Sequence, residues 1–290
     1  MKSLARITNC SDFNKVDHLI ENEPSNFYDI IYNILEEDYK IYDLNSFKHF
    51  YAIRRLPLYG TRVFDEEIKL VESFIENSSD DIKNRLLNGL EETRCGHADE
   101  ERFSSCVFNI TNHNIKTCAI ITRNATHLIQ AFRKKIDVKD FDTILEFGGG
   151  YGGMAKLCSD MGYKNTYYIY DLPAIKKIQK YYLDALEINH KIINDYTKLK
   201  KINTTGKKLF IATWSLSEVD FDLRSKILDI IKDFDAVIIA YQGSLWDRNN
   251  KKYFEEKGVF QNNFKKIKNW STINIPYIKW DGGSFHLLGY

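Results

Sequence analysis

The segment Ile144-Leu-Glu-Phe-Gly-Gly-Gly-Tyr-Gly-Gly153 constrains this chain more than any other, because five glycines separate an apolar stretch from a helix-forming one. Thr143 to Phe147 is short, β-branched and apolar and predicts a buried strand, whereas Met154 to Met161 has the length and composition of a helix. Glycine in the turn permits positive φ and lets a ligand approach the backbone, and the helix start offers unpaired N–H groups. A ligand-free tight turn is the simpler alternative, but it does not require so many glycines. Gly148, Gly150 and Gly153 also fit G-x-G-x-x-G, a spacing shared by NAD and other adenosine-containing cofactors, so the glycines alone do not choose. Glu146 is expected to choose. A carboxylate two residues before the first glycine repels a pyrophosphate and attracts the cationic amino acid end of S-adenosylmethionine.

A chain of 290 residues can bury one large α/β domain with a smaller appended part. Lys plus Arg total 41 against 40 for Asp plus Glu, a balance that predicts no nucleic-acid partner and no membrane surface. No stretch of 18 apolar residues and no long apolar leader occur, so neither export nor a membrane span is expected. Cys10, Cys95, Cys106, Cys118 and Cys158 are odd in number and contain no C-x-x-C pair, which argues against a disulfide framework or zinc ribbon and favours a reducing cytoplasm.

The first 135 residues are expected to be mostly helical, from apolar stripes such as Phe27, Ile30, Ile31, Ile34 and Leu35, and Ile68, Val71, Phe74 and Ile75. A connector near 135–142 divides a helical cap (1–135) from a second region (136–290). There, strands are predicted at Thr143–Phe147, Thr166–Tyr170, Lys191–Ile193, Leu209–Thr213 and Ala236–Tyr241, alternating with helices near 153–161, 174–188, 222–232 and 248–257. Such alternation implies right-handed βαβ units in a parallel sheet that binds ligands beyond its carboxyl ends. Asn263–Lys268 and Phe285–Tyr290 are candidates for two final strands, with Gly282-Gly283 as a turn.

Asp171, in Tyr167-Tyr-Ile-Tyr-Asp-Leu-Pro173, follows the second predicted strand and suits both hydroxyls of an adenosine ribose; the plainer reading makes it a helix N-cap. Asp195, beside Tyr196 after the third strand, either accepts from the adenine amine or simply makes a turn.

The sequence Leu145-Glu-Phe-Gly-Gly-Gly-Tyr-Gly-Gly followed by Tyr170-Asp-Leu-Pro resembles the class I S-adenosylmethionine-dependent methyltransferases, and more narrowly the bacterial sugar O-methyltransferases. The resemblance covers residues 142 to about 245 well and the first 130 weakly. It implies a Rossmann-like α/β sheet of seven strands with the last antiparallel, a helical N-terminal cap, and a sugar hydroxyl, on a nucleotide-activated sugar or surface glycan, as methyl acceptor. Expected donor-site residues are Glu146, Gly148, Gly149, Gly150, Tyr151, Asp171, Leu172, Asp195, Tyr196 and Trp214. Tyr151 either holds the sulfonium by a cation–π contact or packs under the cap.

Ala212-Thr-Trp-Ser-Leu-Ser-Glu-Val-Asp220 follows the fourth strand and is expected to face the transferred methyl group. Plant O-methyltransferases carry Trp-x-Leu-His-Asp in the matching stretch, with the histidine as base; here Ser217 and Glu218 stand there, and serine is no base near neutral pH. Glu218 is the first candidate base, with His286 and Asp220 as further catalytic candidates. Mg²⁺ held by Glu218 and Asp220 is an alternative that has no support beyond their spacing. Ser217, Tyr241, Gln242, His97 and Arg123 are candidates for acceptor binding, with Trp246, His113 and His127 in reserve. Rival readings are a non-sugar acceptor, an NAD-dependent oxidoreductase, or a cofactor-binding protein without catalysis. The sequence leaves a homo-oligomer open.

Overall fold

A computed structural model of the chain describes residues 63–92, 107–110, 113, 115–202, 205–245, 248–256, 260–280 and 282–290. The expectations at Phe27–Leu35, His97 and Trp246 lie outside the described residues.

The chain runs through α1 (Asp65–Glu76), α2 (Asp80–Leu90), a β1–β2 hairpin (Val107–Ile110, Ile115–Cys118) and α3 (Ala119–Arg133). It continues through β3 (Thr143–Phe147), α4 (Gly153–Asp160), β4 (Tyr167–Tyr170), α5 (Pro173–Ala185), β5 (His190–Ile193), α6 (Tyr196–Leu199), β6 (Lys208–Thr213), α7 (Ser215–Glu218), α8 (Phe221–Ile231) and β7 (Ala236–Gln242). A short β8–β9 ribbon (Ser244–Leu245, Arg248–Asn249), α9 (Asn250–Glu255), β10 (Trp270–Asn274) and β11 (Ser284–Gly289) complete it.

The main sheet has seven strands in the order β10-β11-β7-β6-β3-β4-β5, with β3, β4, β5, β6 and β7 parallel to one another and β11 antiparallel to both β7 and β10. This is the sheet the resemblance implied. Two details differ from expectation. Asn263–Lys268 is not a strand; the edge strand begins at Trp270, after a 3₁₀ turn at Gln261–Asn263. The N-terminal region also contains the β1–β2 hairpin, which helical periodicity could not reveal.

Alternation along each strand splits the core into two apolar layers. Ile144, Ile211, Ile238 and Leu288 face α1 to α5, whereas Leu145, Phe210, Ile239 and Leu287 face α8 and α9. The first layer crosses residue 135 without a break: Val71 and Ile75 of α1, Leu86 of α2 and Ile121, Leu128 and Ile129 of α3 join Met154 and Leu157 of α4 in one cluster. Polar fastenings reinforce it. Lys156 Nζ donates to the carbonyls of Gly89 (2.8 Å) and Glu91 (2.7 Å) and so caps the end of α2, while the Arg85 guanidinium bonds Asp137 and the Met161 carbonyl.

Candidate active site

The glycine turn leaves the carboxyl end of β3, where the Gly148 N–H donates to the Tyr170 carbonyl of β4 at 2.9 Å. Gly148, Gly150 and Gly152 all take positive φ (75°, 55° and 105°). A Cβ on Gly148 would stand 2.3 Å from Ser215 Cβ, whereas one on Gly150 would meet nothing within 4 Å. The loop is therefore closed on the Ser215 side and open at Gly150, as a ligand lying along the backbone requires. Gly148→Ala is expected to displace the loop, costing about 1–3 kcal/mol of stability by overpacking alone. Thermal unfolding checks this; an unchanged melting temperature would mean that Ser215 gives way freely.

Asp171 adjoins the loop. Its Oδ1 accepts from the Leu172 N–H (2.8 Å) and its Oδ2 from the Gln179 amide (2.7 Å), and the same amide reaches the Gly150 carbonyl (2.9 Å). Burial raises its pKa to about 6, against the hydrogen bonds from Leu172, Gln179 and the Gly149 and Gly150 N–H groups, which hold it down. Gln179, from the second turn of α5, was not foreseen; a lone glutamine in a helix carries no signal. Leu172, 45% exposed, forms an apolar edge next to Asp171.

Glu146 corrects its expectation. Its side chain points into the α-helical layer behind the loop, 2% exposed, where the Tyr167 hydroxyl donates to it at 3.1 Å and its Oε2 lies 3.0 Å from where a Gly149 Cβ would be. Burial, with a smaller push from the Asp171 charge, raises its pKa to about 8 even though the Tyr167 hydrogen bond opposes the shift. At neutral pH the group is mostly protonated, so repulsion of a pyrophosphate by its charge does not hold in the free chain. Tyr151 is 3% exposed, and its ring packs edge-on against Tyr182 of α5 at 5.0 Å.

Asp195 is the N-cap of α6, accepting from the Thr197 N–H (2.8 Å) and hydroxyl (2.7 Å), and Tyr196 beside it lies under Lys200 Nζ. The loop after β6 begins at Trp214, a non-glycine residue at φ 74°, ψ −42°, near the strained γ-turn region. Its N–H bonds the Ala240 carbonyl at 2.7 Å, and the Ser215 hydroxyl bonds the Phe147 carbonyl, which joins this loop to the glycine turn. Ser217 is fully buried and lies 2.5 Å from the Gln242 amide oxygen. Two arginines absent from any expectation hold the loop's carbonyls: Arg224 bonds Ser217 and Val219, and Arg248 bonds Glu218.

Several acceptor-side expectations change. Asp220 is the N-cap of α8, its Oδ1 accepting from the Leu223 N–H at 2.7 Å, a structural use the sequence reading did not give it. Among the described residues no group of three or more His, Cys, Asp or Glu side chains could hold a metal ion. Tyr241 faces the other layer, stacked on Phe285 with its hydroxyl on Glu255, because it alternates with Gln242 along β7. Arg123 is turned to Glu67 of α1, with Nε–Oε1 at 2.7 Å and Nη2–Oε2 at 3.1 Å. Cys118 is disulfide-bonded, whereas the cysteine pattern argued against a disulfide framework and for a reducing cytoplasm. No helix among the described residues is long and apolar enough to cross a membrane.

His286 acquires a partner that the sequence did not announce. Its Nε2 lies 2.7 Å from Nδ1 of His127 on α3, and the two rings are 2% and 1% exposed. Burial holds both pKa values down, His286 to about 3, and the charges of His286 and Arg123 lower His127 further. Trp214 packs edge-on against His127 at 6.0 Å.

No protein-family model matches the sequence, nor does any curated protein. Solved structures similar to the chain include Methanococcus jannaschii fibrillarin, a pre-rRNA processing protein (TM-score 0.44, 16% identity, 66% of this chain and 84% of that one). Others are the methyltransferase domain of bacterial CtHen1 (0.43, 11%, 58% and 97%) and precorrin-6y C5,15-methyltransferase from Geobacter metallireducens (0.39, 9%, 58% and 86%). The strand order, rather than these distant likenesses, carries the fold assignment. With the seven strands counted in chain order, it reads 3-2-1-4-5-7-6 with strand 7 antiparallel. The fold is the Rossmann-like sheet of the class I methyltransferases.

Proposed function

We propose that this chain is an S-adenosylmethionine-dependent O-methyltransferase whose acceptor is a hydroxyl of a sugar, as a nucleotide-activated sugar or glycan precursor. The observation that carries the donor half is the Asp171 carboxylate set against a glycine turn that is open at Gly150, at the carboxyl ends of two adjacent parallel strands. These groups suit the ligand: Asp171 stands at the strand end where the adenosine ribose would lie, its hydroxyls replacing some of the four donors that the carboxylate now has, and Leu172 offers an apolar edge to the adenine. When bound, S-adenosylmethionine supplies an electrophilic methyl group on a sulfonium. An NAD-dependent oxidoreductase is disfavoured by the antiparallel strand in place of the sixth parallel strand of a dinucleotide-binding sheet.

The acceptor half rests on the sequence resemblance and on the uncharged polar side chains of Trp214, Ser217, Gln242 and Ser284 gathered at the carboxyl end of β7. Near-equal numbers of basic and acidic residues, 41 and 40, argue for a small-molecule acceptor over a nucleic acid. Calorimetry tests the donor half: the chain should bind S-adenosylmethionine and not NADH, and Asp171→Ala should weaken binding by the worth of a charged hydrogen bond, about 1.5–3 kcal/mol or roughly 10- to 150-fold. An unchanged affinity removes Asp171 from the site.

A further inference from the structure

We propose that His127 and His286 together take up the acceptor's hydroxyl proton, with Trp214 Nε1 and Ser284 Oγ orienting that hydroxyl. The proposal rests on the methyltransferase reading above. Two neutral imidazoles carry two N–H hydrogens on four nitrogens, and the 2.7 Å bridge between His127 Nδ1 and His286 Nε2 uses one of them. Whichever ring donates across the bridge, one outer nitrogen is then bare and the other carries a hydrogen. A purely structural pair would have both outer nitrogens satisfied, since buried polar atoms nearly always find partners. Here His127 Nε2 and His286 Nδ1 are both buried without one, and so are Trp214 Nε1 and Ser284 Oγ.

These four atoms belong to one place. The β7–β11 register sets Ser284 opposite Gln242 and His286 opposite Ala240, on the face that α3 covers, and Trp214 N–H bonds Ala240 while its ring meets His127. That face is apolar along most of the sheet and turns polar only at the carboxyl end of β7, beside the loop that Ser215 joins to Gly148. Ligands of parallel sheets bind at that end.

As the acceptor oxygen bonds the methyl carbon and the electron pair of the C–S bond returns to sulfur, the hydroxyl proton passes to the bare outer nitrogen. The bridging hydrogen shifts to the other ring, whose outer N–H gives its proton to water that enters as the methylated product leaves, and the pair is neutral again with its roles exchanged.

The test has two arms. Wild type, His127→Gln and His286→Gln are assayed by mass spectrometry on a panel of uridine and thymidine diphosphohexoses, and donor binding is followed separately by calorimetry. Expected is a fall in kcat of about 100-fold or more in either variant, with donor Kd and acceptor KM within twofold of wild type. Near-normal kcat in both variants overturns the proposal, whereas absence of donor binding in wild type overturns the methyltransferase reading itself. Nitrogen-15 NMR of histidine-labelled wild type with S-adenosylhomocysteine needs no variant. One bare outer nitrogen that shifts on adding the methylated hexose supports the relay, and two outer nitrogens indifferent to it refute it.

Discussion

Arg123→Ala is expected to cost the fold about 3–5 kcal/mol, the usual penalty for leaving one member of a buried ion pair alone. Glu67 is fully buried and accepts from Arg123 Nε and Nη2 and from the Phe64 backbone N–H; without the guanidinium its charge has one hydrogen bond and no counter-ion from that side. Glu67→Ala should cost a similar amount. Replacing both with apolar residues of similar size should recover most of the loss, because the desolvation penalty disappears with the charges. Denaturant unfolding of the two single variants and the double variant measures this. A loss below about 1 kcal/mol would put the pair in the class of solvated surface bridges.

Glu146→Gln is expected to remove a large pH dependence of stability. An acid whose pKa rises from 4.5 to about 8 keeps in the folded state a proton that the unfolded chain has released, so the unfolded state binds fewer protons across that window. Stability therefore falls as the pH rises from 4.5 through 8, by about 3–5 kcal/mol in all at 1.36 kcal/mol per unit. Glutamine keeps the shape, remains neutral and lacks the decline. Asp171, at about 6, adds a smaller decline of the same sign at lower pH, so unfolding between pH 6.5 and 8.5 without donor isolates Glu146. Parallel stability curves for the two proteins in that range would show that the carboxyl is already ionised or solvated.

What the sequence made legible follows from how local each signal is. The glycine turn, the five parallel strands and the Asp171 position rest on residues within one βαβ unit, where periodicity and turn chemistry act directly. The charge argument at Glu146 misled because a sequence records which acid is present and not which way its strand faces; even-numbered residues of β3 turn into the helical layer. Asp220 and Asp195 were candidate site acids and are helix caps, a use that competes with ligand binding for the same lone pairs. The His127–His286 contact spans 159 positions, and nothing near either residue announces the other. Arg224 and Arg248 escaped notice for a related reason, since capture of carbonyls by a distant guanidinium leaves no spacing to read.

The apolar layer that runs unbroken across residue 135 bears on any attempt to work with the sheet alone. Severing the chain in the 135–142 connector would leave Met154, Leu157, Ile211, Ile238 and Leu288 facing water where α1, α2 and α3 had covered them. A contiguous wet surface of that kind drives self-association. The severed sheet would meet other copies of itself before it met a donor, and precipitation rather than weak affinity would be its first symptom.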